Sequence, residues 1–461
     1  MILAVLALLV AQPGEFVVTA AQDMGTLPGE VRPHVRYLAI SGKNTVSDAK
    51  VLSGHINGLS REPDIVPPAL VGSNVLRINL KDYGWSAAVF EKLANSDPYY
   101  HVDITKDGHK IRALAPIMAY GWSDRKDGKH EVATNLKYLI EQTGSKTPIL
   151  RADWFFNQTA AQFDRDPGYY DFLGIKDEKS FQKLIGFDEA LAKDFKKVLR
   201  ESVAISSVTL QPRAIERQQS QGGAYWKTYD FRKAVNKKNP LRILGEDIEK
   251  QADASEQYAL LPNGMWATFL GNAKGERQDA APDFIASDRH SKSRDKKVHI
   301  NVSCVRCHKQ GGLQPIDGFV RGLNEPPLAV TSPDYEKFRQ LRREYLKSME
   351  TQMELDKSLY TQAVKEATGW DTKTYAEKYA EYWERYEDAQ IDLVWAAADL
   401  YTTPAILKAV LLKRIQQGNT NPETGGVDFV LARLAQGKLV EIRQYEEVHA
   451  LALTILRGEL P

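Results

Sequence analysis

The chain has 461 residues, of which 43% are hydrophobic and 26% are charged, and its 61 basic and 60 acidic side chains leave a net charge of +1. This length allows two or three domains with cores of their own, and the composition is that of a globular protein rather than a disordered one. The near-neutral balance argues against a dedicated nucleic-acid-binding protein, which needs a basic excess to displace counterions from phosphates.

The N-terminus predicts export, because Ile2–Ala11 contains only apolar residues. A helix needs about 20 such residues to cross a membrane, whereas a run of this length matches the apolar core of a secretory signal. Small residues follow at Thr19, Ala20 and Ala21. We therefore expect a signal peptide over residues 1–21 and a periplasmic or secreted protein with no other membrane span. No basic residue precedes the run, and the alternative is a buried N-terminal strand or helix.

Residues 22–286 mix strand and helix patterns and predict an α+β domain. Strand patterns lie at residues 35–40, 74–80 and 259–270, and helical patterns at 86–96 and 187–202. Asn263 and Gly264 interrupt the third strand pattern, and both residue types tolerate positive φ, so a hairpin is expected there. Aromatic residues beside polar ones favour core packing, with a ligand cleft as the alternative.

Both cysteines of the chain lie in one short motif, Cys304-Val305-Arg306-Cys307-His308. Two thiols three residues apart on a helical turn can each form a thioether with one vinyl group of a haem. The histidine that follows can then ligate the iron from the proximal side. The motif therefore predicts one covalent haem c on Cys304 and Cys307, with His308 as the iron ligand.

Three other uses of this motif are possible. A thiol-exchange pair would need a thioredoxin-like pattern around it, which the sequence lacks. A zinc site would need four ligands, and two cysteines and a histidine supply three. A disulfide across two intervening residues would close too small a loop to restrict much of the unfolded chain. The haem interpretation is favoured over all three.

The stretch from Cys304 to Phe319 resembles the haem-binding segment of cytochromes c, in which the CxxCH motif precedes a glycine-containing turn and a proline. The resemblance implies a haem-binding segment over residues 287–330. It also implies that the carbonyl of Pro315 accepts a hydrogen bond from His308. More loosely, the whole chain is similar to large secreted bacterial proteins that carry one such motif after a long region without haem.

The ligand on the distal side of the iron decides between electron transfer and chemistry at an open site. Met349 is the preferred candidate, although it lies in an apolar helical stripe with Met353, where methionine usually fills a core. Met265, His299 and His290 are alternatives, and so is an open site. The basic run before the motif, residues 289–299, is expected to be a solvated loop, with pairing to haem propionates or to an acidic redox partner as the alternative.

Residues 331–461 are expected to be mostly helical, with Asp371 as the cap of one helix and Pro404 at the start of another. The expected function is electron transfer to or from a redox partner protein or a small electron donor or acceptor, with no nucleic acid involved. A peroxidase-like or oxidase-like haem enzyme and a haem-based gas sensor are the alternatives. A second CxxCH motif, which di-haem peroxidases need, is absent from the sequence.

Overall fold

In a computed structural model, the protein is an α+β molecule, as the sequence predicts. The structure describes residues 13–40, 44–99, 101–106, 109–114, 129–163, 167–188, 190, 198–203, 213–231, 252–281, 287–288, 296–312, 330–333, 335–336, 339, 350–400, 402–416 and 427–457.

The helices and strands are numbered separately in chain order. The helices are α1 Pro13–Thr26, α2 Thr45–Asn57, α3 Ala87–Ala94, α4 Lys129–Thr143, α5 Ala152–Thr159, α6 Tyr169–Leu173, α7 Glu178–Leu184, α8 Val302–Cys307, α9 Glu350–Thr368, α10 Thr372–Glu387, α11 Leu393–Asp399, α12 Pro404–Gln416, α13 Val427–Ala435 and α14 Ile442–Arg457. The strands are β1 Val35–Ala39, β2 Ala69–Val71, β3 Val75–Asn79, β4 His101–Lys106, β5 His109–Leu114, β6 Ile149–Arg151, β7 Leu199–Val203, β8 Arg213–Gln218, β9 Tyr225–Asp230, β10 Ala254–Leu260, β11 Trp266–Asn272, β12 Ala280–Ala281, β13 Val298–His299, β14 Gln390–Ile391 and β15 Val440–Glu441.

A four-stranded sheet with the order β2-β3-β1-β6 separates two hydrophobic cores. Its central strands send alternate side chains to opposite faces, as strand geometry requires. On β1, Tyr37 enters a small N-terminal core while Leu38 enters the main core. The N-terminal core consists of Phe16, Val17, Ala20, Ala21, Met24, Val35, Tyr37, Ala39, Val75, Leu136, Leu139 and Ile149. Helices α1 and α4 therefore cover one face of this sheet.

A second, antiparallel sheet has the order β11-β10-β9-β8-β7 and supplies one wall of the candidate site. The predicted hairpin around Asn263 and Gly264 is confirmed, since β10 and β11 pair from Leu260 and Trp266 outward. Gly264 has φ +80°, and its N–H donates to the Leu261 carbonyl at 2.9 Å. The predicted strands at 35–40 and 74–80 and the predicted helix at 86–96 are also present, as β1, β3 and α3.

The helix predicted over residues 187–202 is wrong at its C-terminal end. Residues Leu199–Val203 form β7, which pairs antiparallel with β8, with Leu199 opposite Arg217. Most residues from 189 to 197 lie outside the described residues. Helix propensity is a weak preference that tertiary contacts override, and here the backbone N–H and C=O groups pair with the edge of an existing sheet.

The C-terminal region is helical, as predicted. The Asp371 carboxylate accepts the N–H of Thr374 at 2.8 Å and so caps α10, and α12 begins at Pro404. The buried face of α10 carries a row of aromatic residues, which are Tyr375, Tyr379, Tyr382, Trp383 and Tyr386. These residues belong to the main core. Among the described residues, we find no helix that combines the length and the apolar character needed to cross a membrane.

Helix α1 contains Thr19, Ala20 and Ala21, where the sequence predicts cleavage of a signal peptide. Ala20 and Ala21 are buried, and the Asp23 carboxylate accepts hydrogen bonds from Tyr37 at 2.8 Å and Arg77 at 2.7 Å. Cleavage after Ala21 would remove Phe16, Val17 and both alanines from the N-terminal core. The cleavage point stays a prediction, and this packing raises the energetic cost of cleaving there.

Met24→Ala tests whether α1 is part of the folded protein. Met24 is fully buried in the N-terminal core, so its truncation should lower the free energy of unfolding by about 2–5 kcal/mol. Urea unfolding of the purified protein measures this loss. Glu15→Ala, at an exposed position of the same helix, is the control and should change stability by less than about 0.5 kcal/mol. Equal urea concentrations at the midpoint of unfolding for wild type and Met24→Ala would show that α1 does not pack as described.

Candidate functional site

The cysteine motif lies on α8, a helix of six residues that is too short to be stable by itself. It packs against α10 and follows β13 directly. Asn301 precedes α8 with φ 62°, a left-handed conformation that asparagine tolerates better than most residues. The amide of Asn301 donates to the Ala160 carbonyl and to the Tyr379 hydroxyl, each at 3.0 Å. These two bonds fix the start of the motif helix.

The Asn301 contact continues into a buried chain of hydrogen bonds. The Tyr379 hydroxyl lies 3.1 Å from Nδ1 of His55, and the Thr159 hydroxyl lies 2.7 Å from its Nε2. Thr159 also donates to the Phe155 carbonyl at 2.7 Å, so its oxygen accepts a hydrogen bond from the Nε2 N–H of His55, and the Tyr379 hydroxyl donates to Nδ1. Neutral His55 satisfies every group in this chain. Burial accordingly lowers the pKa of His55 to about 3.

Arg306, inside the motif, holds the other side of α8. Its guanidinium is 4% exposed, bonds to the buried carboxylate of Asp288 and lies 3.5 Å from Glu384 on α10. A buried cation with paired carboxylates is a structural anchor, because leaving either charge alone in the interior would be strongly unfavourable. Arg306 is thus engaged by two carboxylates within the protein.

Both motif cysteines are free thiols. Cys304 is buried and Cys307 is partly buried. Burial is the main cause that raises the pKa of Cys304 above its usual range and that of Cys307 to about 12, where Asp288 adds to the effect. Both groups are therefore protonated at neutral pH. A protonated, buried thiol is a poor nucleophile in thiol exchange, which argues against the redox-pair alternative.

His308 follows α8 directly, and the turn after it sets the orientation of its ring. Gly311 has φ +77°, and a Cβ there would lie 2.9 Å from side-chain atoms of Thr372 and Tyr360. This turn brings the Gly312 carbonyl to 3.1 Å from Nδ1 of His308. Nδ1 therefore carries the proton in the neutral ring and Nε2 carries the lone pair. The pKa of His308 is lowered, chiefly by burial, which favours the neutral form that ligates metals.

The Nε2 side of His308 faces the five-stranded sheet. The hydroxyl of Tyr258, on β10, lies 3.2 Å from Nε2, and the two ring centroids are 5.0 Å apart. Trp266, on β11, lies 6.2 Å from the imidazole. Glu256 shares a face of β10 with Tyr258, two residues away, and accepts a hydrogen bond from the Tyr258 hydroxyl.

Arg213 on β8 anchors the carboxylate that holds Tyr258. Its guanidinium lies 3.1 Å from one oxygen of Glu256, while the other oxygen accepts from Tyr258. The same guanidinium donates twice to Asp230, at 2.7 and 3.1 Å. Such a two-pronged pair has a fixed geometry. The position of Glu256, and through it that of Tyr258, is consequently determined by side chains from neighbouring strands.

Two acceptors in this group compete for one proton. The single hydroxyl proton of Tyr258 is within reach of both the Glu256 carboxylate and the Nε2 lone pair of His308. If Tyr258 donates to Glu256, Nε2 lacks a donor in a site where unpaired polar atoms are costly. A metal ion bound at Nε2 would satisfy that lone pair. The two thiols and the oriented imidazole therefore fit the donor set that a covalent haem needs.

Other residues singled out from the sequence lie apart from His308 or beyond the described structure. Met349 and Pro315 lie outside the described residues, as do residues 289–295 of the basic run. The role expected of the Pro315 carbonyl is filled by that of Gly312. Met265 is buried beside Gly58, and Met353 packs on the main core. The ring of His299 lies between Phe163 and Trp383, at 5.7 and 6.4 Å.

The sequence gives little indication of the residues that surround the motif. Glu256 and Tyr258 lie about 50 positions before His308 and belong to a strand whose alternation marks a sheet face rather than a site. Arg213 is more distant still. The hairpin signal at Asn263 and Gly264 was the one usable indication, because it places β10 and β11 side by side.

The buried His55 predicts a pH dependence of stability. Its pKa is about 3 in the folded protein and near 6.5 when unfolded, so the unfolded chain binds more protons between these values. The contribution of neutral His55 to the free energy of unfolding is fully present above pH 6.5. It falls by up to about 1.4 kcal/mol per pH unit as the pH drops toward 3. Between pH 7.5 and pH 5 this amounts to about 2 kcal/mol.

Urea unfolding of wild type and His55→Gln at these two pH values measures the effect. His55→Gln should be less stable at pH 7.5 but should lose about 2 kcal/mol less on acidification. His308 contributes equally to both proteins, so the difference isolates His55. His34→Gln, at a partly exposed position, is the control and should follow the wild type. If wild type and His55→Gln lost the same free energy of unfolding between pH 7.5 and pH 5, His55 could not be neutral and buried as described.

Comparison with known proteins does not assign a function to this site. The chain matches no protein-family model, no curated protein and no solved structure. The function of the site has to be inferred from its own residues.

Proposed function

We propose that the protein is an exported c-type cytochrome with a single covalent haem, and that it transfers electrons to or from a redox partner. The observation that carries this proposal is the orientation of His308. Its Nδ1 lies 3.1 Å from the Gly312 carbonyl, so the lone pair of the neutral ring is on Nε2, which now contacts the Tyr258 hydroxyl and would have to exchange this contact for a metal next to the two free thiols. A hydrogen bond to the non-ligating nitrogen is what metal-bound histidines generally have.

Each residue of the motif would hold the haem in a different way. Cys304 and Cys307 would attach it through thioethers, and His308 would ligate its iron through Nε2. When bound, the haem supplies one-electron redox chemistry at iron. The Gly312 carbonyl keeps the proton on Nδ1, which raises the basicity of Nε2 and fixes the plane of the ring.

The rigid setting of the motif supports electron transfer. Asn301 and Arg306 anchor α8 at two points, and neither group needs to move for an electron to be exchanged. Covalent attachment also suits an exported protein, since tethered haem cannot be lost to the surroundings. A periplasmic or secreted location is part of the same proposal and follows from the apolar run Ile2–Ala11.

The test is production of the full chain in a bacterial host that has the machinery for cytochrome c maturation. Wild type should keep its haem through denaturing electrophoresis and through acidic organic extraction. Cys304→Ala and Cys307→Ala should each leave a single thioether, detected as a shift of the reduced pyridine-haem spectrum, and the double variant should lose all covalent haem. Val305→Ala changes a residue between the two cysteines and should behave like wild type.

The electron-transfer part of the proposal is tested on the purified haem protein. A redox titration should give one reversible one-electron transition with unchanged haem content. Two titratable thiols and no iron in denatured wild type would contradict the haem assignment. Covalent haem combined with catalytic turnover of hydrogen peroxide would contradict the carrier role while leaving the haem assignment intact.

A further inference from the structure

We infer that the contact between the loop of residues 95–99, after α3, and the last helix, α14, is a pH-sensitive switch. In the closed form the carboxyl group of Asp97 keeps its proton, and loss of this proton as the pH rises through neutral loosens α14. The inference goes beyond the proposed function and does not depend on haem. It rests on a buried cluster of charged and tyrosine side chains outside the cysteine motif.

Tyr99 forms the contact between this loop and α14. It is 4% exposed, and its hydroxyl lies 3.4 Å from a carboxylate oxygen of Glu446. Its ring packs edge-on against that of His449, with the centroids 5.3 Å apart. The same hydroxyl lies 3.2 Å from that of Tyr386 on α10, which also donates to Glu446. Two tyrosines from distant parts of the chain therefore converge on one carboxylate of α14.

The carboxyl group of Asp97, two residues before Tyr99, is buried without an ion pair in the described part of the chain. Asp97 is 1% exposed, and one of its oxygens accepts the N–H of Tyr99 at 2.8 Å. Its other oxygen, Oδ2, has no hydrogen-bond partner among the described residues. Burial of an ionised carboxylate in this way is strongly unfavourable, whereas the protonated acid is neutral.

Arg151, at the end of β6, cannot supply the missing positive charge. Its guanidinium donates twice to Asp153, at 3.1 and 2.9 Å, and once to Asp399 at 2.9 Å. It also lies 4.0 Å from the centre of the Tyr99 ring. Two carboxylates therefore already share this one cation. A third negative charge, on Asp97, would have no counter-ion of its own.

His449 on α14 offers an acceptor for the proton of Asp97. Its Nε2 lies 3.2 Å from the Asp399 carboxylate, so in the neutral ring Nε2 carries the proton and Nδ1 carries the lone pair. Within the described structure Nδ1 is buried and has no hydrogen-bond partner. A protonated Asp97 supplies a donor to this pair of unsatisfied atoms, and one buried water can connect groups that do not touch.

The charges around Asp97 act in both directions, and burial outweighs them. Arg151 and His449 favour its ionised form, while Glu446 disfavours it. Burial is the largest effect and raises the pKa of Asp97 to about 7. The other charged groups of the cluster and of β4, which contacts α14, are Asp153, Glu387, Asp399, Arg443, His101, Asp103 and Lys106.

Loss of the proton acts on the contact itself, because the new charge on Asp97 repels that of Glu446, which holds both tyrosine hydroxyls. Opening the contact admits water, where the pKa of an aspartate is about 3.9. The closed form thus binds more protons than the open form between this value and about 7. Its extra stability is fully present below about pH 3.9 and is lost as the pH rises through about 7, the opposite direction to that of His55.

Hydrogen exchange of the purified full chain at pH 6 and pH 8 measures the opening. In wild type the equilibrium constant for opening of α14 should rise about tenfold between these values, seen as a tenfold loss of protection of the amides in residues 442–457. Asp97→Asn replaces the acid by a neutral group of the same shape and should show no such rise. Asp64→Asn, at an exposed position, is the matched control and should follow the wild type.

Infrared spectroscopy of wild type observes the proton directly. A protonated carboxylic acid has a C=O stretching band that an ionised carboxylate lacks, and incorporation of isotope-labelled aspartate shifts the band of an aspartic acid. Wild type should show such a band at pH 6 and lose most of it by pH 8. Asp97→Asn should lack this pH-dependent part of the spectrum.

Two results would overturn the inference. The first is wild type without a pH-dependent aspartic acid band, a measurement that does not require any variant to fold. The second is an equal loss of protection in α1 and α14, which would show that the rise in pH destabilises the whole protein rather than this contact. Neither result bears on covalent haem, so the proposed function is tested separately.

Discussion

The site depends on how a six-residue helix is held in the interior. Helix α8 makes too few internal hydrogen bonds to persist without outside support. Asn301 supplies two hydrogen bonds at its start, and Arg306 joins its other side to Asp288. With the helix fixed, the two cysteines project from one turn and His308 enters the space in front of β10. A looser helix would leave the imidazole without a defined direction.

The two sides of the site obtain their rigidity from different sources. On the motif side, polar side chains buried in the interior hold the backbone, and each has a partner that makes its burial tolerable. On the sheet side, a continuous ladder of backbone hydrogen bonds fixes β10, and Arg213 adds an ionic connection across strands. Tyr258 and His308 meet where these two systems come together. Their separation is consequently set by the whole fold rather than by a local turn.

The sequence predicted the local features of the fold well. Strand alternation identified β1 and β3, the Asn263-Gly264 pair identified the hairpin, and Asp371 identified the start of α10, because each of these signals acts within a few residues. The prediction of a helix over 187–202 was wrong at its C-terminal end, because Leu199–Val203 pairs with a strand that begins ten residues later. Nothing within that segment encodes the presence of the partner strand.

The candidate site divides in the same way. The motif residues Cys304, Cys307 and His308 could be named because their chemistry depends on spacing along the chain. Tyr258, Glu256 and Arg213 could not, because they meet His308 only through the pairing of β8, β9 and β10. The carbonyl expected from Pro315 shows that the sequence is also an incomplete guide over a few residues. A carbonyl was needed at Nδ1, but the tight turn at Gly311 places that of Gly312 there.

The main core also bears on how the regions of the chain are related. Leu38 from the first sheet, Cys304 from the motif and Leu453 from the last helix belong to one continuous cluster of buried residues. A motif helix that shares its core with the regions on either side cannot rearrange independently of them. Any change in the position of His308 is therefore opposed by packing that extends from the first sheet to the last helix. Such stiffness would suit the proposed redox centre, because little structural reorganisation would then accompany a change in the charge of its metal.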